Sequence, residues 1–311
     1  MKSNNLLAPI YPLDALEKIL WPDLSYNPHL NYEVKQRDDL EFTKRLNQII
    51  TVDRNIRSQQ NFKDWRELSF QSQCFIEKGL LIQQIDTTNL LRRLQSEIEE
   101  LQKRKPVRDK RNYDRSKFLP NIVKLVSELF DKHGLSEAAS NMIGFSVKVN
   151  TVVLHMSDEN DVHYKQVLSD CNYNTRLQLL HRDPKPNIKA LLYLKDVSEI
   201  DGPFKFIQYS HRWACPYIER MSSQANCTYN YLDSKSNRDK FLALPKQNRL
   251  TSIIGSVLDD DDPLSKKLCK REIDFTSNLG NVILFPASGL LHRGGACNKN
   301  GTRINLQITL K

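Results

Sequence analysis

The sequence lacks the features that mark small disulfide-stapled proteins and membrane proteins. Its 311 residues include six cysteines that lie scattered and form no Cys-x-x-Cys pair, so neither a disulfide framework nor a zinc site is expected. There is no run of about 18 apolar residues, and the first dozen residues contain no apolar segment typical of a secretion signal. We therefore expect a soluble, cytoplasmic protein with reduced thiols and no contact with membranes.

Glycine is also scarce, with ten residues in total and none before Gly79, which excludes an N-terminal glycine-rich phosphate loop. No internal repeat occurs. Hydrophobic residues make up 39% of the chain, enough for a real core, and the 46 basic against 37 acidic residues give a net charge of +9. This excess favours anionic partners without requiring nucleic acid.

The first part of the chain reads as helical. Residues 1–73 are polar, with several early prolines, and are predicted to form an N-terminal arm and helices packed on the core. Apolar residues then recur at helical spacing over 86–101 and 122–130, which predicts two amphipathic helices. The basic stretch between them, Lys103–Lys117, is predicted to be a loop because its composition cannot form a core.

The second part of the chain shows the alternation of β-strands. Strands are predicted over 145–156, 175–181, 188–195, 203–208, 281–286 and 302–310. In the last of these, one face carries Arg303, Asn305, Gln307 and Thr309. Short strands without intervening helices favour a sandwich or barrel. The prediction is a mainly β domain with flanking helices over 74–311, interrupted by an insertion at about 212–270.

One histidine is followed two residues later by a carboxylate, in His181-Arg182-Asp183. Residues i and i+2 of a strand point to the same face, so His181 and Asp183 can converge on one metal ion at the end of the strand 175–181. A third ligand, His292, follows another predicted strand. Two histidines and one carboxylate form the facial triad that suits non-haem Fe(II) and oxygen chemistry.

The order His-x-Asp, distant His and then Arg303 on the last strand resembles the phytanoyl-CoA dioxygenase family of Fe(II)- and 2-oxoglutarate-dependent dioxygenases. Three further segments agree. Phe75–Gly79 followed by 80–82 resembles the family's opening strand, and 278–281 leading into 282–285 resembles the strand that delivers the second histidine. Gly202-Pro203 before Ser210-His211 resembles the family's Gly-Pro…Gly-Ser-His segment, with Tyr209 in place of the usual glycine. The resemblance covers residues 75–311.

The resemblance implies a double-stranded β-helix, a jelly-roll or cupin-like core with a helical N-terminal extension. It also implies that His181, Asp183 and His292 hold Fe(II) and that Arg303 binds the distal carboxylate of the cosubstrate 2-oxoglutarate, to which a guanidinium can form a bidentate fork. The implied reaction hydroxylates an unactivated C–H of a small-molecule substrate and releases succinate and CO2. The presence of Asp183 favours hydroxylation over halogenation, because related halogenases replace this carboxylate with a small residue.

Three other residues are expected to contribute to cosubstrate binding. Asn305 shares a face with Arg303, while Tyr193 and Lys189 lie on one face of the neighbouring predicted strand. The remaining histidines, including His155, His163 and His211, are read as structural.

Some features of the sequence are compatible with functions other than an oxygenase. The segment 181–187 imitates a protein-kinase catalytic loop, but the required Asn five residues after Asp183 is Ile188 and no Asp-Phe-Gly follows. A protein hydroxylase of the JmjC kind, or a non-catalytic jelly-roll binding protein, remains open. Nucleic acid is not expected as a partner, because stacking aromatics are few around Lys103–Lys117. The sequence does not specify the substrate or the oligomeric state. The basic stretch is compatible with an anionic substrate.

Overall fold

A computed structural model describes residues 60–104, 115–159, 187–212, 270–287 and 289–311. The predicted strand 175–181, most of the N-terminal arm and nearly all of the predicted insertion lie outside these residues. The division of the chain at residue 73 therefore stays a prediction.

Four α-helices lie in the described residues: α1 (Phe70–Lys78), α2 (Thr88–Lys103), α3 (Val123–Lys132) and α4 (Leu135–Ile143). In α2, Leu90, Leu94 and Leu101 follow one face and are buried, as amphipathic spacing requires. Asp86 supports the start of this helix, because its carboxylate accepts a hydrogen bond of 3.0 Å from the Thr88 backbone N–H.

Nine strands of the described residues form two antiparallel sheets. They are β1 (Leu81–Gln84), β2 (Ser116–Phe118), β3 (Val149–Asp158), β4 (Ile188–Tyr193), β5 (Phe204–Ile207), β6 (Glu272–Phe275), β7 (Asn281–Pro286), β8 (His292–Arg293) and β9 (Thr302–Leu310). The larger sheet has the order β1-β7-β4-β9-β3-β2, and the smaller sheet has the order β6-β5-β8.

The larger sheet separates two hydrophobic cores. On one face, alternate residues of β3, β4, β7 and β9 pack with the buried sides of the helices in a single cluster that includes Leu94, Phe130, Leu192 and Leu306. On the other face, Tyr193, Ile283 and Phe285 pack with Phe204 and Phe275 of the smaller sheet. This second face is called the inner wall below, because it is covered by the smaller sheet.

The strand pairs are nested in chain order. β5 pairs with β6, β4 pairs with β7 outside them, and β3 pairs with β9 outside both. Nested antiparallel pairs divided between two packed sheets form a jelly-roll arrangement, as the sequence predicts.

Several elements confirm the sequence predictions and others correct them. The strand 281–286 has its predicted bounds, and β9 begins and ends at the predicted residues. The interpretation of Phe75–Gly79 as part of the opening strand is wrong, because α1 runs to Lys78 with Gly79 as its C-cap, and β1 begins only at Leu81. The prediction of a loop over Lys103–Lys117 is also wrong at both ends, since Lys103 is the last residue of α2 and Lys117 lies in β2. The sequence reading missed α4 and β6.

Candidate active site

Polar side chains of three neighbouring strands share the inner wall. Cross-strand pairs place Ser157 of β3 opposite Arg303 of β9, and His155 opposite Asn305. On its other side Asn305 lies opposite Tyr193 of β4. Cross-strand partners project to the same face of a sheet, so these residues form one polar patch between the two sheets.

His292 lies on β8 in the smaller sheet and is 5% exposed. Its Nδ1 atom is 2.9 Å from the backbone oxygen of Leu290. A carbonyl can only accept, so Nδ1 carries the proton and in the neutral ring Nε2 carries the lone pair. This is the tautomer found in histidines that ligate metals through Nε2. In a metal-binding histidine, a hydrogen bond from the other ring nitrogen fixes the orientation of the imidazole.

Apolar rings and one serine position His292. The ring centroids of Phe204 and Phe285 lie 5.6 and 4.9 Å from that of His292. The hydroxyl of Ser210 accepts a hydrogen bond of 2.8 Å from the backbone N–H of Leu291, the residue before the histidine. Ser210 belongs to the Ser-His segment noted in the sequence, so this segment fixes the start of β8.

The predicted ligands His181 and Asp183 lie outside the described residues, and the three-residue ligand set stays a prediction. Within the part of the chain that the structure describes, no group of three or more His, Cys, Asp or Glu side chains could hold a metal ion. His292 is thus the predicted ligand whose surroundings are visible.

Arg303 is a buried cation on the inner wall, with 8% exposure. Its Nη1 donates to the backbone oxygen of Gly295 at 3.1 Å, and its Nη2 donates to the Ser157 hydroxyl at 3.3 Å. No carboxylate among the described residues pairs with it, and Asp158, the residue after Ser157, pairs with Arg115 instead. A buried guanidinium is costly unless an anion or hydrogen bonds compensate it, and three of its five N–H donors remain for a ligand.

The other predicted cosubstrate residues differ in what their side chains already contact. The Tyr193 hydroxyl donates to the Phe275 backbone oxygen at 2.9 Å and accepts from the Phe204 backbone N–H at 3.0 Å. Burial raises the pKa of Tyr193 to about 12. These two hydrogen bonds connect the larger sheet to the smaller sheet, which is a structural role for the Tyr193 hydroxyl. Its role in cosubstrate binding stays a prediction.

Asn305 and Lys189 face the same wall as Arg303. Asn305 is 5% exposed and its side-chain amide makes no hydrogen bond to any described residue. Lys189 lies further along β4, opposite Thr309, and its positive charge reaches His155. Both therefore stay candidates for ligand contacts.

His155, read from the sequence as a structural histidine, lies on this wall opposite Asn305, and Ser157, which the sequence analysis did not single out, lies there too. The alternation of the strand predicted over 145–156 could have put His155 on a face, but the register that places it opposite Asn305 is not readable from local sequence. Burial, followed by the charges of Arg303 and Lys189, lowers the pKa of His155 to about 4. It is therefore a neutral imidazole at physiological pH.

His211 has the structural role expected for it. Its Nε2–H donates to the Ile76 backbone oxygen at 3.1 Å, and its ring covers Gly79 at the end of α1. A Cβ atom at Gly79 would lie 2.1 Å from the His211 Nδ1, and the φ of +73° also favours glycine there.

None of the helices in the described ranges is both long enough and apolar enough to span a membrane.

No protein-family model matches the chain, and no curated protein matches it. Among solved structures the chain is similar to the non-heme alpha ketoglutarate dependent carbocyclase SnoK from nogalamycin biosynthesis, with a TM-score of 0.46 and 12% identity over 80% of this chain and 86% of that one. EctD from S. alaskensis gives a TM-score of 0.47 and 13% identity over 81% and 80% of the two chains. HygX from Streptomyces hygroscopicus, with nickel and 2-oxoglutarate bound, gives 0.39 and 17% over 78% and 86%. These TM-scores and identities are too low to assign a function to this chain.

Proposed function

We propose that this chain is an Fe(II)- and 2-oxoglutarate-dependent oxygenase that hydroxylates an unactivated C–H of a small-molecule substrate. The observation that carries the proposal is the buried Arg303 guanidinium, which faces the interior of the jelly roll and pairs with no described carboxylate. A dicarboxylate cosubstrate supplies the missing anion, and a bidentate fork to its C5 carboxylate would use the remaining N–H donors.

The proposed iron ligands are His181, Asp183 and His292. β8 lies between β7 and β9 in the chain and forms one edge of the smaller sheet, with β5 as its neighbour among the described residues. The position that would complete the nesting falls between β3 and β4, where the sequence predicts the strand 175–181 that ends at His181. Pairing of that strand with β8 would place His181 and Asp183 beside His292, and the lone pair on Nε2 of His292 fits the role of a ligand.

Bound iron would supply the activation of dioxygen that converts 2-oxoglutarate to succinate and CO2 and transfers one oxygen atom to the substrate C–H. The chain's own residues do the positioning. Arg303 orients the cosubstrate by its distal carboxylate, Leu290 holds the His292 ring through the Nδ1 hydrogen bond, and Phe204 and Phe285 keep water from that ring.

The test is anaerobic addition of Fe(II) and 2-oxoglutarate to the full-length protein. We expect the visible metal-to-ligand charge-transfer band of a chelated 2-oxoglutarate, and, on admission of oxygen, succinate in an amount equal to the 2-oxoglutarate consumed. Iron binding without the band would leave a metal-binding jelly roll, and absence of both would favour a non-catalytic binding protein.

A second candidate is a protein hydroxylase of the JmjC kind, in which a lysine on an earlier strand anchors the cosubstrate. The observation in its favour is Lys189, which faces the inner wall from β4. The two candidates differ in which cation, Arg303 or Lys189, the cosubstrate requires.

A further inference from the structure

The inner wall contains a cross-strand pair whose hydrogen-bonding capacity the described residues leave unused. His155 and Asn305 lie directly opposite each other on β3 and β9. Neither side chain hydrogen-bonds to a described residue, although Asn305 is buried and His155 is partly buried. Buried polar groups in folded proteins nearly always have partners, so this pair is suited to receive a polar ligand.

The surroundings of His155 define the charge of that ligand. On its own strand the next residue of the wall is Ser157, which accepts from Arg303. From β2 the neutral Ser116 lies opposite His155, from β9 come Asn305 and Arg303, and from β4 comes the charge of Lys189. The charged groups that act on His155 from these elements are both cations, which favours an anionic occupant.

We propose that His155 is a further binding residue of this site, whose imidazole N–H donates to the C5 carboxylate of 2-oxoglutarate beside Arg303. Asn305 contributes a second neutral donor from the opposite strand. This inference rests on the proposed function, because it takes 2-oxoglutarate as the anion that Arg303 receives.

Binding of the dianion has a consequence for the ionisation of His155. The ligand compensates the two cations that now disfavour a charged imidazole, and its carboxylate favours the protonated ring. The pKa of His155 therefore rises on binding. By linkage, 2-oxoglutarate binding takes up protons, and its affinity gains as the pH falls toward about 6.

The experiment compares wild type with His155→Gln and His155→Phe by calorimetric titration of 2-oxoglutarate into anaerobic full-length protein loaded with Fe(II). Titrations at about pH 7.5 and about pH 6, in buffers of different ionisation enthalpy, give the affinity and the number of protons taken up. Glutamine keeps a hydrogen-bonding group but cannot titrate. Phenylalanine keeps an aromatic ring but has neither a hydrogen-bonding group nor a titratable group. His133→Gln, a substitution of a histidine at the end of α3, is the matched control, and thermal unfolding confirms the fold of each variant.

We expect His155→Phe to bind 2-oxoglutarate about tenfold more weakly, the loss of one hydrogen bond to a charged group. His155→Gln should stay within about threefold of wild type at the higher pH but lose the extra proton uptake at the lower pH. His133→Gln should keep the wild-type affinity for 2-oxoglutarate and the wild-type proton uptake. Wild-type affinity and proton uptake in both His155 variants would overturn the inference while leaving the proposed function in place. Failure of the iron-loaded wild type to bind 2-oxoglutarate would instead overturn the proposed function.

Discussion

Arg303 donates a hydrogen bond from Nη1 to the backbone oxygen of Gly295 at 3.1 Å, and Gly295 follows His292 by only three residues. The proposed cosubstrate anchor is thereby attached to the segment that carries the proposed metal ligand. Because β9 belongs to the larger sheet and Gly295 follows β8 of the smaller sheet, this hydrogen bond also connects the larger sheet to the segment after β8, beside the proposed site.

Replacement of Arg303 with alanine should separate cosubstrate binding from metal binding. We expect Fe(II) to remain bound, while 2-oxoglutarate affinity falls by about 3 to 5 kcal/mol, or two to four decades, because a buried carboxylate loses its partner. Arg303→Lys should recover only part of this loss, since an ammonium cannot form the bidentate fork. Titration of 2-oxoglutarate into the iron-loaded variants measures the difference.

Lys189→Ala provides the matched comparison on the neighbouring strand. If Arg303→Ala retained the wild-type affinity and Lys189→Ala lost it, the lysine would be the anchor and the JmjC-like candidate would replace the first. Melting temperatures of the two variants separate a lost contact from a lost fold.

The terminal strand shows how far local sequence predicts this structure. The alternation of residues 302–310 predicts which side chains share a face, and Ile304, Leu306, Ile308 and Leu310 do pack together in the helix-side core. Period two is a local property, so it is readable without knowledge of the partner strands. The same pattern places Arg303 and Asn305 on the opposite face, as observed.

The rest of the site depends on register and on contacts between distant residues. Nothing near His155 in the sequence indicates that it faces Asn305, because pairing of β3 with β9 joins segments about 150 residues apart in the chain. The hydrogen bond from the Tyr193 hydroxyl to the Phe275 backbone oxygen is also non-local, since it joins residues 82 apart in the chain. Short elements such as β6, with four residues, carry too little periodicity to be recognised.

Substitution of each proposed metal ligand should abolish iron-dependent turnover. We expect His181→Ala, Asp183→Ala and His292→Ala to lose bound Fe(II) and to form no succinate, because each removes one of three protein ligands. Metal analysis of the purified proteins and succinate assays measure the two effects. Arg303→Ala, which should keep the metal, is the control. Wild-type succinate formation by any of the three would remove that residue from the ligand set.

The turn at Asp201 should make the stability of the protein depend on pH. Burial alone would raise the pKa of Asp201, but hydrogen bonds from the backbone N–H groups of Thr302 and Ser198, from the Lys195 ammonium and from the Ser198 hydroxyl hold it well below its ordinary value of 3.8. A lowered pKa adds stability that is present above about pH 4 and is lost as the pH falls below that value. The Thr302 hydrogen bond also fixes the start of β9, just before Arg303.

Asp201→Asn should therefore lower the free energy of unfolding by about 2 kcal/mol near neutral pH, and the difference from wild type should shrink below about pH 4. Ser198→Ala, which removes one of the donors, should cost less and keep the same dependence. Denaturant unfolding across this pH range measures both. Wild-type and Asp201→Asn curves that stay parallel to the lowest pH would contradict the assignment.

The basic stretch Lys103–Lys117 is partly compensated where the structure describes it. Arg104 and Lys117 both pair with Glu100, so two cations share one carboxylate there. We nevertheless expect that simultaneous substitution of Lys103, Arg104, Lys105 and Arg108 with glutamine weakens the capture of an anionic ligand through loss of long-range attraction. The measured quantity is kcat/KM for 2-oxoglutarate, which should fall at low salt while kcat changes little.

The salt dependence identifies the cause, because the Debye length shortens from about 30 Å at 0.01 M to about 10 Å at 0.1 M. A control with the same change in charge replaces four cations of α2 and α3, namely Arg92, Arg93, Lys124 and Lys132. Equal effects of the two sets would indicate net charge alone, and no effect of the first set would make the stretch a solvated segment without a role in capture.

Tyr209 adopts a backbone conformation that favours glycine, with φ of 65°, at the position where the resemblance places a glycine. Side chains other than glycine pay about 1 kcal/mol or more in this left-handed region. We therefore expect Tyr209→Gly to be more stable than Tyr209→Ala by about 1 kcal/mol, although both remove the same aromatic ring.

At Arg93, an exposed position in the interior of α2, the order should reverse, because glycine costs about 1 kcal/mol relative to alanine in a helix. Denaturant unfolding of the four variants measures both differences, and an alanine variant at 209 that equals or exceeds the glycine variant would show that the turn stores no such strain. The adjacent Ser210 accepts the hydrogen bond that fixes the start of β8, the strand that carries His292. A change of 2-oxoglutarate affinity in Tyr209→Gly would therefore show that the position of His292 depends on the conformation of this turn.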